Sequence, residues 1–219
     1  MVESNIIDTV YTKDGILTVI GKGNMLALRN GSVGYSCIYT DQNIFQPIFE
    51  DVQDIIDTFH NSYDIEKALI LGGGCCTIPR FIIKRFNNSV YIDSVEYTSE
   101  IIDITKKYFL TGIETDKLNI INDDAFKFIN ETERIYDVIF VDLFNGGKIV
   151  DDVISESFIE NINKHMKSEA IAIVNTFQCT QKERDEIYRL GQKYFERYFC
   201  KIDDFGTSYI ILVNGNFNV

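Results

Sequence analysis

Apolar residues in this chain follow two rhythms. Over residues 6–39 they come in short β-prone runs, 6–11, 16–20, 25–29 and 32–39, broken by Asp14-Gly15, by residues 21–24 and by Asn30-Gly31. That spacing predicts hairpins. A meander so small buries little by itself, so it is expected to pack on the rest of the chain or on another subunit. Between residues 41 and 61 the period changes: Ile44, Phe45, Ile48, Phe49, Val52, Ile55, Ile56 and Phe59 recur at helical spacing. An amphipathic helix is predicted there, with Glu50, Asp51 and Asp54 on its solvated face.

From residue 68 onward strands and helices alternate. The pattern predicts strands at 68–71, 90–95, 118–121, 136–141, 170–174, 198–202 and 208–213. Helices are expected around Pro79, over 99–109 with Thr98 as cap, from residue 126, and over 181–195. The fold class is therefore α/β: a Rossmann-like, doubly wound seven-stranded sheet, mostly parallel, with the last two strands antiparallel across a turn at 203–207. A small N-terminal β-hairpin domain, residues 1–40, precedes a nucleoside-binding domain at 41–219.

The strand at 68–71 is wholly apolar and stops at Gly72, Gly73 and Gly74. Glycine allows a tight turn and lets backbone N–H groups approach a ligand that a Cβ would hold away. The next strand ends on Glu96, and an acid there can accept both hydroxyls of a ribose. Together they predict a nucleoside-containing ligand; the competing reading is a structural turn with a capping acid. Asp124, followed by Ala125, and Asp142 stand at the carboxyl ends of the next two strands, the edge where open α/β sheets bind ligands.

Charge and cysteine usage narrow the partners. With 21 basic residues against 33 acidic ones the net charge is -12, which argues against nucleic acid and suits a cationic small molecule. Five cysteines and two histidines show no metal-ligand spacing, so no metal is expected, and adjacent Cys75 and Cys76 read as small thiols packed in a turn. No apolar run approaches the roughly 20 residues of a membrane span. The first residues, Met-Val-Glu-Ser-Asn, lack the pattern of a secretory leader, so a cytoplasmic location is the default expectation.

Leu-Gly-Gly-Gly at 71–74, Val-Glu at 95–96, Ile-Thr-Lys-Lys-Tyr-Phe at 104–109, Asp124-Ala125 and Tyr-Asp-Val-Ile-Phe-Val-Asp at 136–142 carry a resemblance. Over about residues 6–177 the chain resembles the spermidine synthase family, which has the class I methyltransferase fold behind a small β domain. The resemblance implies that Gly72, Gly73, Gly74, Glu96, Asp124 and Ala125 bind the donor, Glu96 at the ribose hydroxyls and Asp124 at the adenine amino group. It implies Asp142 as the catalytic carboxylate that helps deprotonate an attacking amine. S-adenosylmethionine or its decarboxylated form would be the donor substrate, a polyamine-type amine the acceptor, and the assembly a homodimer.

The chain also departs from that family. Cys75 stands where the family has an aspartate for the donor's ammonium, Asn145 where it has a second loop aspartate, and Gly34 near its glutamine. Phe45-Gln46-Pro47 replaces a Tyr-His-Glu segment, and Ile70 stands where methyltransferases commonly carry an acid. The functions in play are aminopropyl or methyl transfer to a small amine, or a catalytically inactive nucleoside-binding or scaffolding homologue. A nicotinamide dehydrogenase fits less well, because Thr77 falls at the third glycine position of its fingerprint.

Overall fold

The computed structural model describes residues 4–13, 15–31, 33–145, 147–202 and 208–217. Residues 1–3, Asp14, Ser32, Gly146, residues 203–207, where a turn is expected, and residues 218–219 lie outside the described residues.

The N-terminal runs form a four-stranded antiparallel meander, β1 (Asn5–Thr12), β2 (Gly15–Lys22), β3 (Met25–Asn30) and β4 (Val33–Tyr39). It packs on the rest of the chain. Leu17, Val19, Leu26, Leu28 and Ile38 form one buried cluster with Cys75, Ile101, Ile104 and Phe109. Each such side chain fully withdrawn from water contributes about 1.5–3 kcal/mol, more than an isolated meander could gather. Asp8 adds a polar tie, accepting from Lys107 at 2.9 Å and from the Tyr108 hydroxyl at 2.7 Å.

The helix expected over 41–61 begins only at Glu50: α1 spans Glu50–His60. Pro47 cannot donate within a helix and disfavours helical backbone at the residue before it. Gln46 and Gln53, both buried, staple the extended segment instead. The Gln46 N–H donates to Gln53 Oε1 at 2.6 Å, Gln53 Nε2 donates to the Ile48 carbonyl at 2.7 Å, and Gln46 Oε1 accepts the Tyr39 N–H at 3.0 Å.

Beyond α1 come β5 (Lys67–Leu71), α2 (Thr77–Arg85), β6 (Tyr91–Glu96) and α3 (Ser99–Ile104). The last turn of the predicted 99–109 helix widens to π geometry over Thr105–Phe109. Then follow β7 (Leu118–Asn122), α4 (Ala125–Glu131), β8 (Tyr136–Val141), a two-residue ribbon of β9 (Phe144–Asn145) with β10 (Lys148–Ile149), and α5 (Glu156–Lys164). The chain closes with β11 (Met166–Asn175), α6 (Gln181–Tyr194), β12 (Arg197–Ile202) and β13 (Ser208–Asn214). The ribbon and α5 had no sequence counterpart. Helix α5 is nine residues long and its apolar side, Phe158, Ile159 and Ile162, does recur at helical spacing, a signal the sequence reading passed over.

The main sheet has the order β12-β13-β11-β8-β5-β6-β7, and β13 runs antiparallel to both its neighbours. Alternation along each strand divides the core. Leu69 and Leu71 face the side covered by α4, α5 and α6, while Ala68 and Ile70 face α1 and α2. Because the connection after β5 leaves toward β6 and β7 whereas β8 lies on its other side, a crevice opens above the end of β5. Among the described residues no helix is long and apolar enough to cross a membrane.

Candidate active site

The turn after β5 shows what the glycines do. A Cβ on Gly72, which sits at φ +85°, would overlap the main-chain carbonyl of Asp142, and one on Gly73 would overlap Ser94 Oγ. Lacking them, the turn lies directly against β8 and β6. Its N–H groups do not face a ligand as expected, which corrects the sequence reading. Gly72 and Gly73 both donate to the Val95 carbonyl, at 3.0 and 2.9 Å, and Gly74 donates to Glu96 Oε2 at 2.9 Å. The register Leu71↔Val95 carries the ladder on into the turn, so β6 takes up all three donors. Gly72 and Gly74 border the cleft above; Gly73 faces away from it.

Glu96 is the last residue of β6. Its second oxygen, Oε1, accepts the Thr98 N–H at 2.9 Å, and Thr98 makes no side-chain cap to α3. Burial pushes the Glu96 carboxyl above its usual range, with the Thr98 and Gly74 N–H groups pulling the other way. Asp124 caps α4: its Oδ1 accepts the N–H groups of Phe126 and Lys127, each at 2.9 Å. Asp124→Ala is therefore expected to cost about 1 kcal/mol of stability, whereas Asp124→Asn, which keeps an oxygen there, costs a few tenths. Denaturant unfolding of both variants measures the difference, and equal losses would remove the capping role.

Asp142 follows β8 immediately, its N–H bonded to the Leu71 carbonyl at 2.8 Å. Its Oδ1 accepts a hydrogen bond from Asn175 Nδ2 at 2.8 Å. Burial, with the negative charge of Glu96 adding to it, pushes the Asp142 carboxyl up to about 6 against the pull of Asn175.

All three acids border one cleft of about 1220 Å³. Gly34 and Tyr35 of the N-terminal sheet close one side, and Pro47 to Asp54 and Leu143 to Asn145 form others. Glu50 and Asp54 are exposed, as a solvated face requires, and with half-buried Asp51, paired to Lys201 at 2.8 Å, they also border this cleft. Sequence reasoning missed this because helical phase shows which side is polar, not what stands opposite it. It also missed Asn175, although an amide ending an all-apolar strand at the acid-bearing edge was a readable signal.

The family-departure positions separate in space. Gly34 and Asn145 border the cleft. Phe45 instead stacks on Phe81, ring centroids 5.3 Å apart, and Gln46 belongs to the staple before α1. Cys75 is wholly buried in the cluster beneath the N-terminal sheet, its thiol pushed far up by burial, and Cys76 is buried beside Ser94. Among the described residues no group of three or more His, Cys, Asp and Glu converges as a metal site.

A sheet of this order, its glycine turn flanked by strand-end acids and preceded by an antiparallel meander, defines the class: a class I methyltransferase-like fold with an N-terminal β-hairpin region. A probable spermidine synthase from Corynebacterium glutamicum superposes with TM-score 0.85 at 18% identity over 98% of this chain and 82% of that one. A spermidine synthase in complex with the transition-state analogue AdoDATO gives 0.70 at 15% identity, over 96% and 72%. The chain belongs to the spermine/spermidine synthase family: residues 50–210 match its Spermine/spermidine synthase domain. It is 28% identical over 155 residues to a polyamine aminopropyltransferase of Lachnospira eligens, covering 69% of this chain and 51% of that protein. Against the enzyme of that name from Methanocaldococcus jannaschii it is 30% identical over 110 residues, 49% of this chain and 37% of the other. The chain thus spans about half the length, or less, of these curated relatives.

Proposed function

We propose that this chain is an aminopropyltransferase that takes decarboxylated S-adenosylmethionine as donor and a small polyamine-type amine as acceptor. One observation carries the reading: the cleft is lined by carboxylates while the glycine N–H groups are engaged by β6. A dinucleotide's pyrophosphate needs such donors, and the N–H groups of Gly72, Gly73 and Gly74 are already committed. A nucleoside bearing a sulfonium needs acceptors for its hydroxyls and a negative field. Glu50, Asp51, Asp54, Glu96, Asp123, Asp124 and Asp142 border the cleft against Lys13 and Lys201.

In this reading Glu96 accepts the ribose hydroxyls, and Asp124 accepts from the adenine amino group beside the small side chain of Ala125. Gly72 and Gly74 form the floor, and Gly73 holds that floor against β6. Residues 1–40 act as a flanking domain that walls the cleft through Gly34 and Tyr35. The acceptor nitrogen attacks the aminopropyl carbon next to sulfur. As the N–C bond forms, the C–S bond breaks, its electron pair neutralises the sulfonium, and methylthioadenosine leaves. Asp142 takes the proton the nitrogen sheds, because an amine attacks only when its lone pair is free.

A second reading, an adenosine-binding homologue without turnover, is favoured by one specific observation. Residue 75 is a thiol sealed under the N-terminal sheet, so it offers the donor's ammonium no charge. Calorimetry with decarboxylated S-adenosylmethionine, S-adenosylmethionine and methylthioadenosine, followed by mass spectrometry over a panel of diamines and polyamines, separates the two. The expected result is tightest binding of the decarboxylated donor and release of methylthioadenosine. Binding without product from any amine selects the second reading, and no binding heat from any of the three removes both.

A further inference from the structure

Asn175 ends β11 as a buried amide, 5% exposed, after five wholly buried apolar residues, Ala170 to Val174. The pairing Val174↔Val141 places it beside Asp142 at the ends of adjacent parallel strands. Both ends of its side chain are committed. Oδ1 accepts the Phe177 N–H at 2.9 Å, which settles the orientation of the amide, and Nδ2 therefore points at Asp142 Oδ1, 2.8 Å away. A buried amide held by a main-chain N–H cannot rotate out of that contact without losing two hydrogen bonds.

We propose that Asn175 is a positioning residue for Asp142: it fixes the plane of the carboxylate, occupies Oδ1, and leaves Oδ2 as the oxygen that receives the acceptor's proton. The assignment of the proton to the acceptor rests on the aminopropyl-transfer reading; the hold on the carboxylate does not. Other charged or titratable groups share the cleft with Asp142. They are Glu96 from β6, Asp123 and Asp124 before α4, Glu50, Asp51 and Asp54 from α1, Lys201 from β12, Tyr209 from β13, Tyr35 from β4, and Lys13 with Tyr97 at the rim. Glu96 is the one whose charge acts on Asp142, and it acts in the direction opposite to Asn175. Loss of the Asn175 donor thus leaves the Glu96 repulsion and the burial uncompensated.

The test is a titration of the Asp142 carboxyl by carbon NMR of the full chain carrying carboxyl-labelled aspartate, with the resonance assigned from Asp142→Asn. Asn175→Ala removes the donor. Asn175→Asp keeps the shape and the acceptor for the Phe177 N–H, so it remains informative if the alanine variant does not fold. Both are expected to move the midpoint upward by about one pH unit or more, the aspartate variant further because it adds a like charge. The acid limb of kcat/KM for aminopropyl transfer moves with it, and the dissociation constant for methylthioadenosine stays unchanged. A midpoint that stays in place in a folded variant overturns the proposal. A midpoint that moves in a chain showing no transfer with any amine upholds the positioning role and removes only the reaction assigned above.

Discussion

Asp142→Asn is expected to lower kcat for aminopropyl transfer by roughly 10²- to 10⁴-fold, the range ascribed to a positioned general base. The substitution keeps the side chain's shape and one oxygen for the Asn175 donor, so methylthioadenosine binding is expected to stay nearly constant. A fall in kcat without a change in donor affinity is the mark of a group acting in the transition state. The pH dependence has a definite sign. Asp142 serves as a base only when ionised, and burial has raised its carboxyl to about 6. Activity is therefore full above that value and is lost as pH falls through it, about two units above where an exposed aspartate would set the limb. A bound sulfonium favours the ionised form, so the limb in kcat falls below the limb in kcat/KM. Steady-state profiles from pH about 4.5 to 8.5 check both points. An Asp142→Asn chain that retains the wild-type rate would exclude the assigned role.

The second large effect is structural. Gly72→Ala combines a backbone at φ +85° with a Cβ that meets the Asp142 carbonyl. Left-handed strain alone costs of order 1 kcal/mol, and overlap with a main-chain atom on a buried strand end adds more, for a total of about 2–4 kcal/mol. Gly112→Ala supplies the control, because that glycine has φ +77° but nothing within 4 Å of a built Cβ. Urea unfolding should show Gly72→Ala losing well over twice what Gly112→Ala loses, together with weakened methylthioadenosine binding. Equal losses would mean that the turn does not lie against β8 as described.

Much of this was readable before any coordinates. The alternation of buried strands and helices from β5 to β8 obliges a parallel sheet, and a parallel sheet brings its carboxyl ends to one edge. Glu96, Asp124 and Asp142 therefore had to share that edge, and they border one cleft. Periodicity misplaced the start of α1 because a proline and two buried glutamines set the course of residues 41–49. Helix α5 was passed over although Phe158, Ile159 and Ile162 recur at helical spacing, as Phe126, Phe128 and Ile129 do around the predicted α4.

Local pattern by itself thus determined the order of elements, the sheet's main direction and which chain segments carry acids to the ligand edge, since each depends on spacing within about 20 residues. The tertiary structure alone decided who receives each hydrogen bond there. The turn's N–H groups go to β6, Asn175 reaches Asp142 from a strand 33 residues away, and the acids of α1 border the cleft. Those partners are set by the packing of strands and helices distant in sequence, and no periodicity within one segment encodes them.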